Sequence, residues 1–227
     1  MQAFKKNKPL SEIQAYEEAK KNLKNSDYEP IKEMLNNRYM RYFEYIGKQG
    51  ITNRLYLDYL KACNYLNLDM SIDKNRFPHD FMRWHDIRID EMKSKKAEED
   101  EKARKELYNK FALVSEKYMP LQEESKGVFV CIIAKNPQDL IQEGEALNHC
   151  VGRMNYDQKF IREETLIFFI RNKETPNIPL VTIEYSIKKK QILQCYAESN
   201  TKPSEDIQNY IYKKWLPYAN RQLKKIA

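Results

Sequence analysis

Glycine is scarce in this chain, with five residues among 227. Neither GxxxxGK[ST] nor GxGxxG occurs, which excludes a Walker-type phosphate cradle and a dinucleotide-binding fingerprint. Histidine is scarcer still, at three residues. The four cysteines, Cys63, Cys131, Cys150 and Cys195, are scattered without a CxxC. That is neither a zinc framework nor a compact disulfide framework. The expectation is free thiols in a reducing, cytoplasmic setting, with no metal and no cofactor. Long apolar runs are also missing. The N-terminal stretch MQAFKKNKPLSEIQ lacks an apolar signal core and no segment approaches transmembrane length, so no membrane insertion is expected.

Charge and tyrosine are abundant. Charged residues make up 32% of the chain and the net charge is +7, with a pI near 9.0. A basic protein is suited to polyanion contact, although a lysine-rich surface alone accounts for the same balance. Sixteen Tyr interleaved with Lys and Arg add aromatic faces that can stack on bases. Tyr is also an ordinary residue of the core edge.

Residues 1–30 are polar and read as an arm. Residues 31–126 read as an all-helical region. Apolar residues recur at three-to-four spacing over 31–46, a pattern that Gly47 and Gly50 break, and again over Asn53–Leu66. Pro78 is placed to open a further helix. Asp80–Tyr118 reads as one or two long helices, exposed early and packed late through Leu107, Phe111, Val114 and Tyr118. The Lys/Glu-rich part over 91–110 reads as a solvated face with i,i+4 pairs.

From Gly127 the pattern changes. VFVCII reads as a strand, and Asn136-Pro137-Gln138-Asp139 as a capped helix start. Leu140, Ile141, Gly144, Leu147 and Val151 share the face of that helix. TLIFFIR, Leu180–Ile187 and Gln191–Glu198 read as three more strands, the last two joined by a tight hairpin at Lys188–Lys190. Pro203–Leu216 reads as a closing helix that Pro217 interrupts. The expected fold class is α+β: an all-helical N-terminal part, then a small mixed domain over 127–227 with a mainly antiparallel sheet of about four strands and flanking helices.

Scarce residue types cluster at GEALNHCVGRMNY, residues 144–156, which holds a His–Cys pair and two of the five glycines. Adjacent residues on a helix point about 100° apart, so His149 and Cys150 make a poor nucleophile pair. Cys150 reads as a small buried residue at the helix end. His149 is the stronger polar candidate. Near a helix C-terminus the dipole favours imidazolium, suited to binding phosphate, donating to a base or serving as acid/base; a structural hydrogen bond stays open beside these. Gly152 fits a left-handed cap or a close approach. Arg153 and Tyr156 can complete an anion site or lie on the surface. In LVTIEYSI, alternation puts Thr182 and Glu184 on one strand face. Ile192, Gln194 and Tyr196 share a face of the next strand, so Glu184 and Gln194 can meet in a pocket opposite His149 or on a face open to water. The two HD pairs in FPHDFMRWHD lie six residues apart and do not share a helical face, so they are read as a packed helix around Phe81 and Trp84 rather than a metal site.

The series LIQEGEALNHCVG, Tyr156, IFFIR, P-x-V-T-I-E and QCYAESN, followed by a helix containing Trp215, resembles the PcfJ-like family. LDYLKACNYLNLD and FPHDFMRWHD extend the resemblance upstream, over about residues 50–216. That family is named for a protein encoded with conjugation genes, and similar proteins occur on plasmids, integrative elements and phages. The resemblance implies an accessory role in DNA processing or transfer, and by motif position it implicates His149, Cys150, Gly152, Tyr156, Thr182, Glu184, Gln194 and Asn200. A glycine is usual where Ala197 stands here, which puts close ligand approach at that point in question. Three functions are expected as alternatives. The first is a nucleic-acid-associated accessory protein of a mobile element, with a polar pocket around His149 and Glu184 and binding residues Arg153, Tyr156, Thr182, Gln194 and Asn200. The second is a transferase or hydrolase acting on a nucleotide or nucleic-acid end, with His149 and Glu184 catalytic. The third is a protein-interaction module that docks to transfer machinery or blocks a host defence.

Overall fold

A computed structural model describes residues 8–36, 38–123 and 127–226. The chain forms two compact units, one up to Glu101 and one from Lys102. No described helix is long and apolar enough to cross a membrane.

The first unit is helical: α1 (Leu10–Asn22), α2 (Glu29–Leu35), α3 (Tyr39–Gln49), α4 (Asn53–Tyr65), α5 (Asp73–Arg76) and the start of α6 (Phe81–Tyr118). The stretch read as a polar arm thus carries α1, whose Tyr16 and Ala19 are buried, followed by buried Leu23. The expected single helix over 31–46 is two helices. The break falls at Asn36, which adopts the left-handed conformation at φ 43°, while Gly47 continues α3. Gly50 ends α3 at φ 63°, a conformation glycine takes without Cβ strain. Thr52 caps α4 by accepting from the Leu55 amide at 3.2 Å. Asp80, rather than Pro78, marks the start of α6, accepting from the Arg83 amide at 3.2 Å.

The core of this unit is aromatic, with Tyr42, Tyr56, Tyr59 and Phe81 packed at edge, tilted and stacked angles. Asn53 is buried among them with both ends of its amide satisfied. Its Oδ1 accepts from the Tyr42 hydroxyl at 2.7 Å and its Nδ2 donates to the Ala19 carbonyl at 2.8 Å. Trp84, expected to be packed, is 38% exposed, with Arg88 over its ring. Half of the sixteen tyrosines are buried: Tyr16, Tyr42, Tyr56, Tyr59, Tyr118, Tyr156, Tyr185 and Tyr210. Their rings are taken up inside the fold, so any base stacking falls to the other half, such as Tyr196 and Tyr212, which are exposed.

The second unit contains the end of α6, an antiparallel sheet and its covering helices. The strands are β1 (Phe129–Ile133), β2 (Thr165–Asn172), β3 (Val181–Ser186) and β4 (Gln191–Tyr196), in that order across the sheet. Between β1 and β2 lie α7 (Pro137–Ala146), a 3₁₀ turn (Cys150–Gly152) and α8 (Tyr156–Ile161). After β4 come α9 (Glu205–Asn209), a π-helical stretch (Tyr210–Trp215) and α10 (Leu216–Ile226). The helix therefore continues through Pro217. Proline lacks the amide hydrogen and crowds the preceding turn, and the wider π stretch directly before it accommodates both.

The two central strands are covered on both faces, while the edge strand β4 is largely exposed. Leu166, Phe168, Ile170, Val181, Ile183 and Tyr185 belong to one face. On that side Trp215 lies 4.9 Å from the Phe168 ring and 5.8 Å from Tyr185, and its indole Nε1 donates to the Leu121 carbonyl at 3.0 Å. The other face carries Thr165, Ile167, Phe169, Arg171, Thr182 and Glu184. Nearby, Phe160 of α8 stacks on Phe111 at 3.9 Å. Both faces of β3 are buried along its whole length.

Candidate functional site

The candidate site is built on the second sheet face. Register places Ile167, Glu184 and Gln194 in one cross-strand row, and Phe169, Thr182 and Tyr196 in the next. A β-bulge lies beside these rows. Tyr185 pairs with Ile192 while Glu184 pairs with Gln194, so Leu193 is an extra residue in β4. Simple alternation puts Ile192 and Gln194 on the same face. The bulge reverses that: Ile192 follows Tyr185 into the hydrophobic core, and Gln194 follows Glu184.

The histidine is delivered by α7 and the turn after it. Asn136 and Asp139 form a reciprocal capping box, with Asp139 N–H donating to Asn136 Oδ1 at 3.0 Å and Asn136 N–H to Asp139 Oδ2 at 3.2 Å. The helix ends at Ala146. Asn148 then takes the left-handed conformation at φ 49°, the role anticipated for Gly152. His149 itself is extended, and its amide donates back to the Gly144 carbonyl at 3.0 Å. Gly152 serves close approach: a Cβ there would lie 2.7 Å from Ile141 Cα and 3.0 Å from the Leu140 carbonyl oxygen. Gly144 is equally confined, with the His149 carbonyl oxygen 2.9 Å from an added Cβ. The two glycines allow the turn to fold back onto its own helix. Asn148 Nδ2 donates to Ser199 Oγ at 3.2 Å and Ser199 N–H to the Leu147 carbonyl at 2.7 Å, which ties the segment after β4 to the same turn.

His149, Cys150, Tyr156, Thr182, Glu184, Gln194 and Asn200 line one pocket together with Val151, Ile167 and Tyr196. Its cavity volume is about 20 Å³, and it opens to solvent at its mouth. His149 Nε2 lies 2.9 Å from Thr182 Oγ1. Tyr156 donates its hydroxyl to Gln194 Oε1 at 3.2 Å. Burial, with the Glu184 charge beside it, pushes the Tyr156 phenol up to about 12, which keeps it a donor. Glu184 is buried, and Lys159 Nζ stands 3.8 Å from its Oε1 and 4.8 Å from the centre of the Tyr156 ring. Arg153 does not join this group. It is exposed and lines an adjacent groove with Pro137, Ile141, Gly152 and Asp157.

Two expectations about this segment are corrected. Cys150 is exposed rather than buried. His149 lies beyond the end of the helix, and burial lowers its pKa below 6.5, against an opposing hydrogen bond to its own backbone. Desolvation therefore prevails over any helix-dipole preference for imidazolium. Ile141, assigned to the inner face of α7, is 38% exposed, and the buried position is Glu143. At Ala197 the backbone is extended, at φ −88° and ψ −164°, and the left-handed residues are Ser199 and Asn200. Alanine in place of the usual glycine thus carries no backbone strain. Among the described residues, no three His, Cys, Asp or Glu side chains converge as a metal set.

The model of the PcfJ-like protein family matches residues 55–211. The chain belongs to the PcfJ-like family. A Listeria innocua protein described as "Uncharacterized protein Lin1253/Lin1744" is 30% identical over 169 residues, which is 74% of this chain. This PcfJ-like chain spans about a third of that relative's length, 35%. No solved structure matches it. The whole pocket, from His149 to Asn200, lies within the family match.

Sequence reasoning missed three charged residues of the PcfJ-like site. Arg171 forms a bidentate pair with Glu143, Nη1 to Oε1 at 3.0 Å and Nη2 to Oε2, both side chains being buried. Thr182 Oγ1 donates to Glu143 Oε1 at 3.3 Å. Lys159 stands at the rim. The available signals were an arginine closing the apolar run TLIFFIR, and Glu143 in the i+3 position from Leu140 on the inner face of α7.

Proposed function

We propose that this PcfJ-like chain is an intracellular nucleic-acid-associated accessory protein of a mobile element, and that the His149–Glu184 pocket engages a nucleotide or nucleic-acid end. The observation that carries this reading is the convergence of His149, Tyr156, Thr182, Glu184, Gln194 and Asn200 on one concavity. Glu184 and Gln194 Oε1 accept from sugar hydroxyls or base amines, Tyr156 and Asn200 donate, and Lys159 meets phosphate. Exposed Tyr196 offers a ring face at the rim. The net charge of +7 supports association with a polyanion.

The test is titration of the full chain with single- and double-stranded DNA and RNA over a range of salt. Binding should weaken linearly on a log–log salt plot, and His149→Asn and Glu184→Gln should each weaken it further. No binding at low salt would remove this reading.

A second reading, transfer or hydrolysis at a nucleic-acid end, is favoured by His149, whose burial-lowered pKa leaves it neutral and able to accept a proton near neutral pH. Turnover lost in His149→Asn and Glu184→Gln, with the fold intact, distinguishes catalysis from binding alone. A protein-interaction role predicts partner binding that survives both substitutions.

A further inference from the structure

The buried ion pair Glu143–Arg171 sits directly behind the pocket and is connected to it by one hydroxyl. Arg171 grips both oxygens of Glu143 and also donates to the Ile170 carbonyl at 3.0 Å. Burial raises the Glu143 pKa above its ordinary value, and the bidentate Arg171 guanidinium with the Thr182 hydroxyl opposes that shift and favours the ionised carboxylate. Ionised, Glu143 is an acceptor only, so the hydrogen between it and Thr182 belongs to Thr182. The Thr182 hydroxyl has one hydrogen. Committed to Glu143 Oε1, it presents only lone pairs to His149 Nε2, 2.9 Å away. The hydrogen on that contact therefore belongs to the imidazole. The opposite arrangement, with Thr182 donating to Nε2 and the ring donating from Nδ1 toward its own backbone, gains that local contact but sets a hydroxyl lone pair against the Glu143 carboxylate across 3.3 Å in a buried site.

We propose that Arg171, Glu143 and Thr182 are a positioning relay that holds neutral His149 as its Nε2–H tautomer, leaving Nδ1 as the lone-pair acceptor. The relay rests on the pocket reading above for its use, and it supplies what that reading lacks: a defined accepting atom. A proton taken from a substrate hydroxyl or a water at Nδ1 yields an imidazolium whose Nε2–H already points along the relay. Its charge then faces the Glu143 carboxylate through Thr182, while the conjugate base of the donor stays with the substrate. This arrangement also accounts for an ion pair where packing alone has no need of one, because a well-packed apolar pair in the same place is commonly as stable or more so. Arg171 and Glu143 orient the ring from behind the pocket, Thr182 links them to it from the pocket wall, and His149 is the group that takes the proton.

Nitrogen-15 NMR of the histidine rings in the full chain tests this, with His149→Gln assigning the His149 signals among the three histidines. At a pH where His149 is neutral, its proton should reside on Nε2. Thr182→Val, nearly the same shape without the hydroxyl, should shift the ring to a mixture or to the Nδ1–H form, and Thr182→Ser should restore it. A wild-type ring in the Nδ1–H form overturns the relay, whatever the variants do. So does a Thr182→Val ring with the wild-type tautomer in a folded chain. The readout needs neither nucleic acid nor turnover, so the two proposals fail separately: the expected tautomer without nucleic-acid binding removes the proposed function alone, and binding with the wrong tautomer removes the relay alone.

Discussion

Gly152 lies against the backbone of Ile141, so close that a Cβ on Gly152 would fall 2.7 Å from Ile141 Cα. Both partners are main chain, and neither can rotate away. The contact fixes how the turn carrying His149 returns to α7.

Gly152→Ala should therefore destabilise the second unit by roughly 1–3 kcal/mol, the range for forced overpacking. Gly144→Ala should act similarly, because the obstructing atoms are the His149 carbonyl oxygen at 2.9 Å and the Gly152 nitrogen at 3.1 Å. Both should move the His149 ring signals. Denaturant unfolding followed by Trp215 fluorescence, in a Trp84→Phe background, measures the loss. Wild-type stability in both variants would show that the turn is free to shift.

The Glu143–Arg171 pair should respond unequally to single and double replacement. Glu143→Leu or Arg171→Met alone leaves a buried charge without its partner and should cost about 3–5 kcal/mol. The double variant should recover most of that loss while still disturbing the His149 tautomer. Thermal melts of all three, set beside the imidazole spectra, separate the contribution to stability from the orienting role. A double variant as unstable as the sum of the singles contradicts the account.

His149 should make the chain less stable in mild acid. Its folded-state pKa lies below 6.5 because burial disfavours the charged ring. Between the two values the unfolded chain binds more protons, so stability rises with pH across that window and falls as pH drops below about 6.5. Cys150, Tyr156 and Glu184 share the pocket with the ring. Melting temperature against pH should be flatter in His149→Gln than in wild type, and an NMR titration should give a His149 midpoint under 6.5. A midpoint above 6.5 reverses the sign.

Much of the architecture was legible from the chain. The capping residues Asn136 and Asp139, the short apolar runs and the lysine turn between β3 and β4 are local signals, and each specifies its element through neighbours a few residues away. Alternation likewise placed Thr182 and Glu184 on one strand face. The exceptions were also local in origin. Asn36 and Asn148 can adopt the left-handed conformation, but nothing in the sequence distinguishes them from asparagines that do not. Pro217 reads as a helix end unless the preceding turn widens.

The sequence by itself determined the α+β class, the four strands with their capped helix and the polar residue types available for a site, because hydrogen bonding within a helix or hairpin and hydrophobic periodicity act over short separations. Tertiary structure alone decided which side chains meet. The bulge at Leu193 sends Gln194 toward Glu184 and Ile192 into the core. Desolvation lowers the His149 pKa, where its position near a helix end suggested the cation. Glu143 and Arg171, 28 residues apart, become a bidentate pair behind Thr182 only when α7 packs on the sheet. Such pairings depend on register and burial across distant segments, and no local pattern encodes them.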